Sequence, residues 1–171
     1  GRFMIIVSIY LVLSFLLEGI SSLYIRYSLI NPSIFMTLYV VIGLVVIYPY
    51  FINKKKYMYL VVIFGILFDA IYTNTILINL VIFILIYLFN RLLDEVLPNN
   101  IFVINIKSYL AVILYYTLTY VIMVLTNYAN YPISMLFRVY YSNIIMSIIY
   151  TTVSYMVLKI LTNEFNVKEI K

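Results

Sequence analysis

Two carboxylates, Asp69 and Glu18, stand inside long apolar runs. An ionised side chain is costly there and marks a functional position by default. Asp69 closes the segment Gly65-Ile66-Leu67-Phe68-Asp69. Gly65, one helical turn before it, and Thr73, one turn after, share its face and suit close approach by a neighbouring helix. The chemistry open to such a carboxylate is narrow: an ion pair with a buried arginine, or a ligand or ion site. Glu18 shares a stripe with Ser14, Ser21 and Ser22, which reads first as a helix-packing face. Asn79 and Asn90 form a similar stripe, as do Asn143, Ser147, Thr151 and Ser154. Their amides and hydroxyls suit hydrogen bonds between helices better than a substrate path. Catalytic means are thin. With 0 Cys and 0 His there is no thiolate nucleophile, and the usual general base and commonest metal ligand are both missing. No glycine-rich phosphate loop, metal-ligand cluster or Ser/His pair is present, so neither an enzyme nor a cofactor or metal site is expected.

The elements that must hold these residues follow from composition. Of the 171 residues, 66% are hydrophobic and 10% charged, and the mean hydropathy is +1.11. A globule of this length cannot bury so much apolar surface, so lipid must take the remainder. The fold class expected is an all-α integral membrane protein. Crossing a hydrocarbon core takes about 20 apolar residues, and six spans are predicted in one membrane domain: 3–25, 34–52, 57–72, 76–90, 108–126 and 133–161. The stretch from Tyr57 to Asn90 would be about 50 Å long as one helix. It is therefore divided at Thr73-Asn74-Thr75. Arg91 to Leu97 reads as a short amphipathic segment ended by Pro98, and Lys107 is taken to precede the fifth span. The 20 tyrosines are expected in interfacial belts, since there is no tryptophan. Gly1 reads as an expression scar in place of Met, and no cleavable signal peptide is apparent.

Orientation follows from the basic residues. With the N-terminus inside, only Arg26 and Arg138 of the 11 fall outside. Both termini are then cytoplasmic in a multi-pass protein of the bacterial cell membrane. Lys54, Lys55 and Lys56 form a topology anchor, with contact to anionic lipid or to a partner as the alternative. The net charge of +5 is explained by this distribution, and no nucleic-acid partner is expected. Counting about 1.5 Å per residue from the outer helix ends puts Asp69, Arg138 and Glu18 within about 10 Å of that surface. Opposite charges at one depth should turn inward and pair. The expectation is a buried ionic cluster of Asp69, Glu18 and Arg138, with Arg26 as fourth member.

The run Phe51-Ile52-Asn53-Lys54, followed by Phe64-Gly65-Ile66-Leu67-Phe68-Asp69-Ala70-Ile71-Tyr72-Thr73, resembles the central signature of MreD proteins from Gram-positive bacteria. That signature is a glycine followed four residues later by aspartate, after a short basic loop. Glu18 and Arg138 also fall where such proteins often carry them. The resemblance implies a non-catalytic scaffold of the cell-elongation machinery. Its implied partners are MreC, MreB, RodA and a class B penicillin-binding transpeptidase, together directing side-wall peptidoglycan synthesis. It also implies a fold similar to the substrate-binding subunits of energy-coupling-factor vitamin transporters. A vitamin-binding subunit of that kind is the alternative function, although the first helix lacks the alanine stripe through which such subunits dock.

Overall fold

The computed structural model describes residues 2–24, 37–73, 75–127 and 130–164. Every regular element among them is helical: α1 (Arg2–Tyr24), α2 (Tyr39–Ile47), α3 (Lys54–Phe68), α4 (Ile78–Val96), α5 (Ile101–Leu125), α6 (Ile133–Ser142) and α7 (Ile144–Glu164). Four stretches are long and apolar enough to cross a membrane: Phe3–Ser21, Lys54–Thr73, Ile101–Leu125 and Ile133–Asn163. The protein is therefore a multi-pass helical membrane protein. Its surface agrees. Large apolar residues such as Ile5, Leu16, Ile63 and Ile160 face outward, whereas Ser14, Glu18, Asp69, Asn79, Asn143 and Thr151 are buried. This inverts the pattern that water imposes on a soluble domain.

The bundle is built around α2. Every residue of that helix from Tyr39 to Ile47 is buried, and it packs against α1, α5 and α7 and touches α4. A short helix that is apolar on all sides finds its place inside other helices. The expected span over 34–52 is thus helical only from Tyr39, with residues 34–36 outside the described part. A 3-10 turn, Tyr48–Tyr50, ends it. Pro49 lies in that turn, lacks an N–H and cannot continue the α-helical ladder.

α3 and α4 form a tight antiparallel hairpin. α3 runs into a π-helical turn over Asp69–Thr73, and the Thr75 amide donates to the Asp69 carbonyl at 3.0 Å. α4 does not stop at Asn90. The amphipathic segment expected after it is the last part of α4 itself, which runs to Val96. α5 likewise begins at Ile101 rather than near Ser108. Asn100 caps it by accepting from the Val103 amide at 2.9 Å. Lys107 does not interrupt the helix, because its ammonium is buried against Asp94 of α4 at 3.3 Å. The last span bends at Asn143, which separates α6 from α7.

Candidate functional site

α4 starts without a local cap. The position before it, Leu77, has φ of 63° and no side chain able to accept a hydrogen bond. The first amides of a helix need acceptors, and deep in a bundle water does not supply them. Asp69 supplies them from across the hairpin. Its Oδ1 accepts from the Asn79 amide at 2.7 Å, and its Oδ2 from the Leu80 amide at 3.0 Å. The Thr75 hydroxyl (2.6 Å) and Asn79 Nδ2 (3.1 Å) add two further donors to Oδ1. The charge is therefore held by the positive end of α4 and by hydrogen bonds, with no ion pair to a cation among the described residues.

The surrounding residues make this approach possible. Gly65 packs on the backbone of α4, where a Cβ would lie 3.0 Å from the Leu80 Cα. Thr73 Oγ1 accepts from Asn79 Nδ2 at 2.6 Å and pairs with the Thr75 hydroxyl at 2.8 Å. The Tyr115 hydroxyl of α5 donates to Asn79 Oδ1. Asp69, Thr73 and Asn79 thus join α3, α4 and α5 through one network, with Asp69, Asn79 and Tyr115 buried and Thr73 at its exposed edge.

Glu18 plays the same part for α2. Leu38, which precedes that helix, offers no side-chain cap. Glu18 is 4% exposed. It accepts from the Val40 amide at 3.4 Å, with the Tyr39 amide beside it. The opposite end of α2 meets a cation. Lys54 Nζ donates to the Phe51 carbonyl at 2.8 Å and the Tyr48 carbonyl at 3.4 Å, and lies 3.7 Å from the centre of the Tyr48 ring. A carboxylate at the N-terminal end and an ammonium at the C-terminal end both match the helix dipole. Lys54 is therefore part of the packing, whereas Lys55 is exposed and Lys56 half-buried in the first turn of α3.

Ser14 lies on the packing face expected of it. It is fully buried, hydrogen-bonds Tyr150 of α7, and stands 3.3 Å from where a Cβ on Gly43 would be. Ser21 is half-buried. The side chain of Ser22 and all of Arg26 lie outside the described residues. Asn143 is buried, but its Nδ2 donates within its own helix turn, to Val139 at 2.8 Å. Its Oδ1, Ser147 Oγ and Thr151 Oγ1 have no hydrogen-bond partner. This part of the α7 stripe therefore does not form the inter-helix bonds expected of it.

Among the described residues Arg138 does not pair with Asp69 or Glu18: it is exposed on α6 and makes no ion pair there. α6 turns Leu136 and Val139 into the core, and a residue two positions after Leu136 points roughly 200° away from it at about 100° per residue. Sequence depth places Arg138 at the right height on the wrong side of its helix. Of the tyrosines expected in belts, Tyr39, Tyr48, Tyr57, Tyr87, Tyr115 and Tyr116 are buried in the bundle. Among the residues missed, Tyr72 could have been found, since it lies one turn beyond Asp69. Its hydroxyl donates to the Phe15 carbonyl of α1, next to Gly19. Nothing in the sequence singles out Tyr115.

Among the described residues no group of acids could hold a metal ion. Comparison with protein-family models, with curated proteins and with solved structures finds no match.

Proposed function

We propose that this protein is a non-catalytic scaffold of the bacterial cytoplasmic membrane, acting in the cell-elongation complex with MreC as its direct partner. The observation that carries this reading is the use made of the two intramembrane acids. A carboxylate that moves protons or holds an ion needs oxygen lone pairs turned toward its substrate. Asp69 gives its oxygens to four donors within the hairpin, and Glu18 faces the start of α2. The chemistry offered by the sequence is spent on holding helices together, which leaves binding as the work of the surface. The sequence resemblance to MreD supplies the partners: MreC first, then MreB, RodA and a class B penicillin-binding protein.

In this reading α2 and α4 also cross the membrane, giving six spans with both termini in the cytoplasm. The gathering of charge at one end of the bundle supports that orientation. Lys107 of α5 pairs with Asp94 of α4. Lys54 sits on the Tyr48 ring, which lies 6.2 Å from that of Tyr87, one turn before Arg91. The test is affinity purification of the tagged protein, extracted in mild detergent from its own host. Recovery of MreC is the expected outcome. Repeated failure to recover it overturns the proposal, and a co-purifying vitamin points to the transporter-subunit alternative.

A further inference from the structure

We infer that the outward face of α6, centred on Arg138, is a docking surface for a partner's membrane-spanning helix that carries a carboxylate within its apolar length. The inference rests on the proposed scaffold function and names the surface that function would use.

Arg138 lies within the apolar length of the bundle. Its neighbours on either side are tied to α5: the Tyr120 hydroxyl donates to the Tyr131 carbonyl at 2.8 Å, and Tyr140 hydrogen-bonds Thr117. The Tyr109 hydroxyl also donates to the Tyr140 carbonyl at 2.7 Å, so Arg138 lies alongside the stretch of α5 between Tyr109 and Thr117. That helix continues in apolar residues to Leu125. Around the arginine the large exposed residues are apolar or aromatic, Ile133, Phe137, Tyr141 and Ile145, with the small exposed Ser134 one turn before it. A guanidinium in such a setting requires an anion or hydrogen-bond acceptors.

Among the described residues no anion lies there. Glu18 and Asp69 are buried at the starts of α2 and α4. Asp94 and Glu95 stand at the far end of α4. Glu164 ends α7, on the order of 30 Å along that helix from Asn143, and Glu169 follows it in sequence. The charge that complements Arg138 comes from outside the chain. A partner helix lying along α6 and α7 would cover Phe137, Tyr141 and Ile145 and present a carboxylate to the guanidinium, whose planar fork suits a bidentate pair.

The test is capture of MreC by the wild-type protein and by Arg138→Lys, Arg138→Leu and Arg138→Glu, co-expressed and extracted in mild detergent. Thermal melting of each purified variant reports folding. Arg138 is exposed, so all variants should melt close to wild type. Arg138→Glu should reduce capture at least tenfold, Arg138→Leu less, and Arg138→Lys least. An acid-to-lysine change in the partner's membrane helix should restore capture by Arg138→Glu. Equal capture by all variants overturns the inference. Failure of the wild-type protein itself to capture MreC overturns the scaffold proposal along with it.

Discussion

At the scale of single residues, Asp69 does for α4 what a local serine or aspartate does at the start of a water-soluble helix. The difference is that the cap comes from another helix, because Leu77 cannot provide one. Replacing Asp69 with alanine strands the amides of Asn79 and Leu80 inside the bundle. It should cost about 2 kcal/mol, the upper end for loss of a helix cap. Asp69→Asn keeps one acceptor oxygen and should cost less. Thermal unfolding in detergent checks the order, and equal melting of both variants with wild type would remove the capping role. Much of this network was legible in the sequence. Gly65, Asp69 and Thr73 repeat at helical spacing, so periodicity alone puts them on one face. The cation partner assigned to Asp69 was not legible, for a physical reason. Counting residues from a helix end gives depth, but depth leaves the direction around the helix axis free. Arg138 shares the depth and faces the other way. Hydropathy also cannot show that a helix start can neutralise a buried carboxylate as an arginine would.

At the scale of elements, the hairpin of α3 and α4 depends on glycine where backbone meets backbone. A methyl group at Gly65 would sit 3.0 Å from the Leu80 Cα, which cannot rotate away. At Gly19 the obstacle is the Tyr72 hydroxyl at 2.9 Å, the far end of a side chain. At Gly43 the nearest atoms are side-chain atoms at 3.3 Å. Gly65→Ala should therefore lower stability most, by about 1–3 kcal/mol as for other overpacked sites. Melting temperatures of the three alanine variants test that ranking. The central helix makes a second demand. Lys54 holds the carbonyls at the end of α2, whereas Lys55 is exposed. Lys54→Met should destabilise by about 1 kcal/mol, and Lys55→Met should melt as wild type; equal melting of the two would mean that the lysine run serves topology alone. Element boundaries were less legible than element types. The pairing of Lys107 with Asp94 joins two helices, so a reading along the chain sees Lys107 as a charge that ends a span. The central position of α2 was hidden for a similar reason. An all-apolar stretch fits lipid and protein surroundings equally well, and only its neighbours decide between them.

At the scale of the whole molecule, the decisive quantity is the side of the membrane on which each turn lies. The bundle puts the start of α3, the end of α4 and the start of α5 together, with Lys54, Asp94 and Lys107 among the residues there. The turn between α3 and α4 lies at the other end of the hairpin, and so does the start of α6, because α5 runs back alongside α4. Basic residues resist transfer across the membrane, so in the proposed orientation the end rich in lysine is the inner one. The sequence contains 0 Cys, so single cysteines can be placed without background. Lys55→Cys and Asn130→Cys are suitable positions, since both residues are exposed and neither touches the Asp69 network. In intact cells an impermeant maleimide should label position 130 and leave position 55 unlabelled until the membrane is permeabilised. The opposite pattern would invert the orientation. It would also move the α3–α4 turn and the start of α6 to the cytoplasmic side. Labelling of both positions in intact cells would require an even number of crossings between them. Either α4 or the segment from α5 to α6 would then fail to cross, and with an exposed end to α4 carrying Arg91, Asp94 and Glu95, α4 is the helix whose placement such a result would revise.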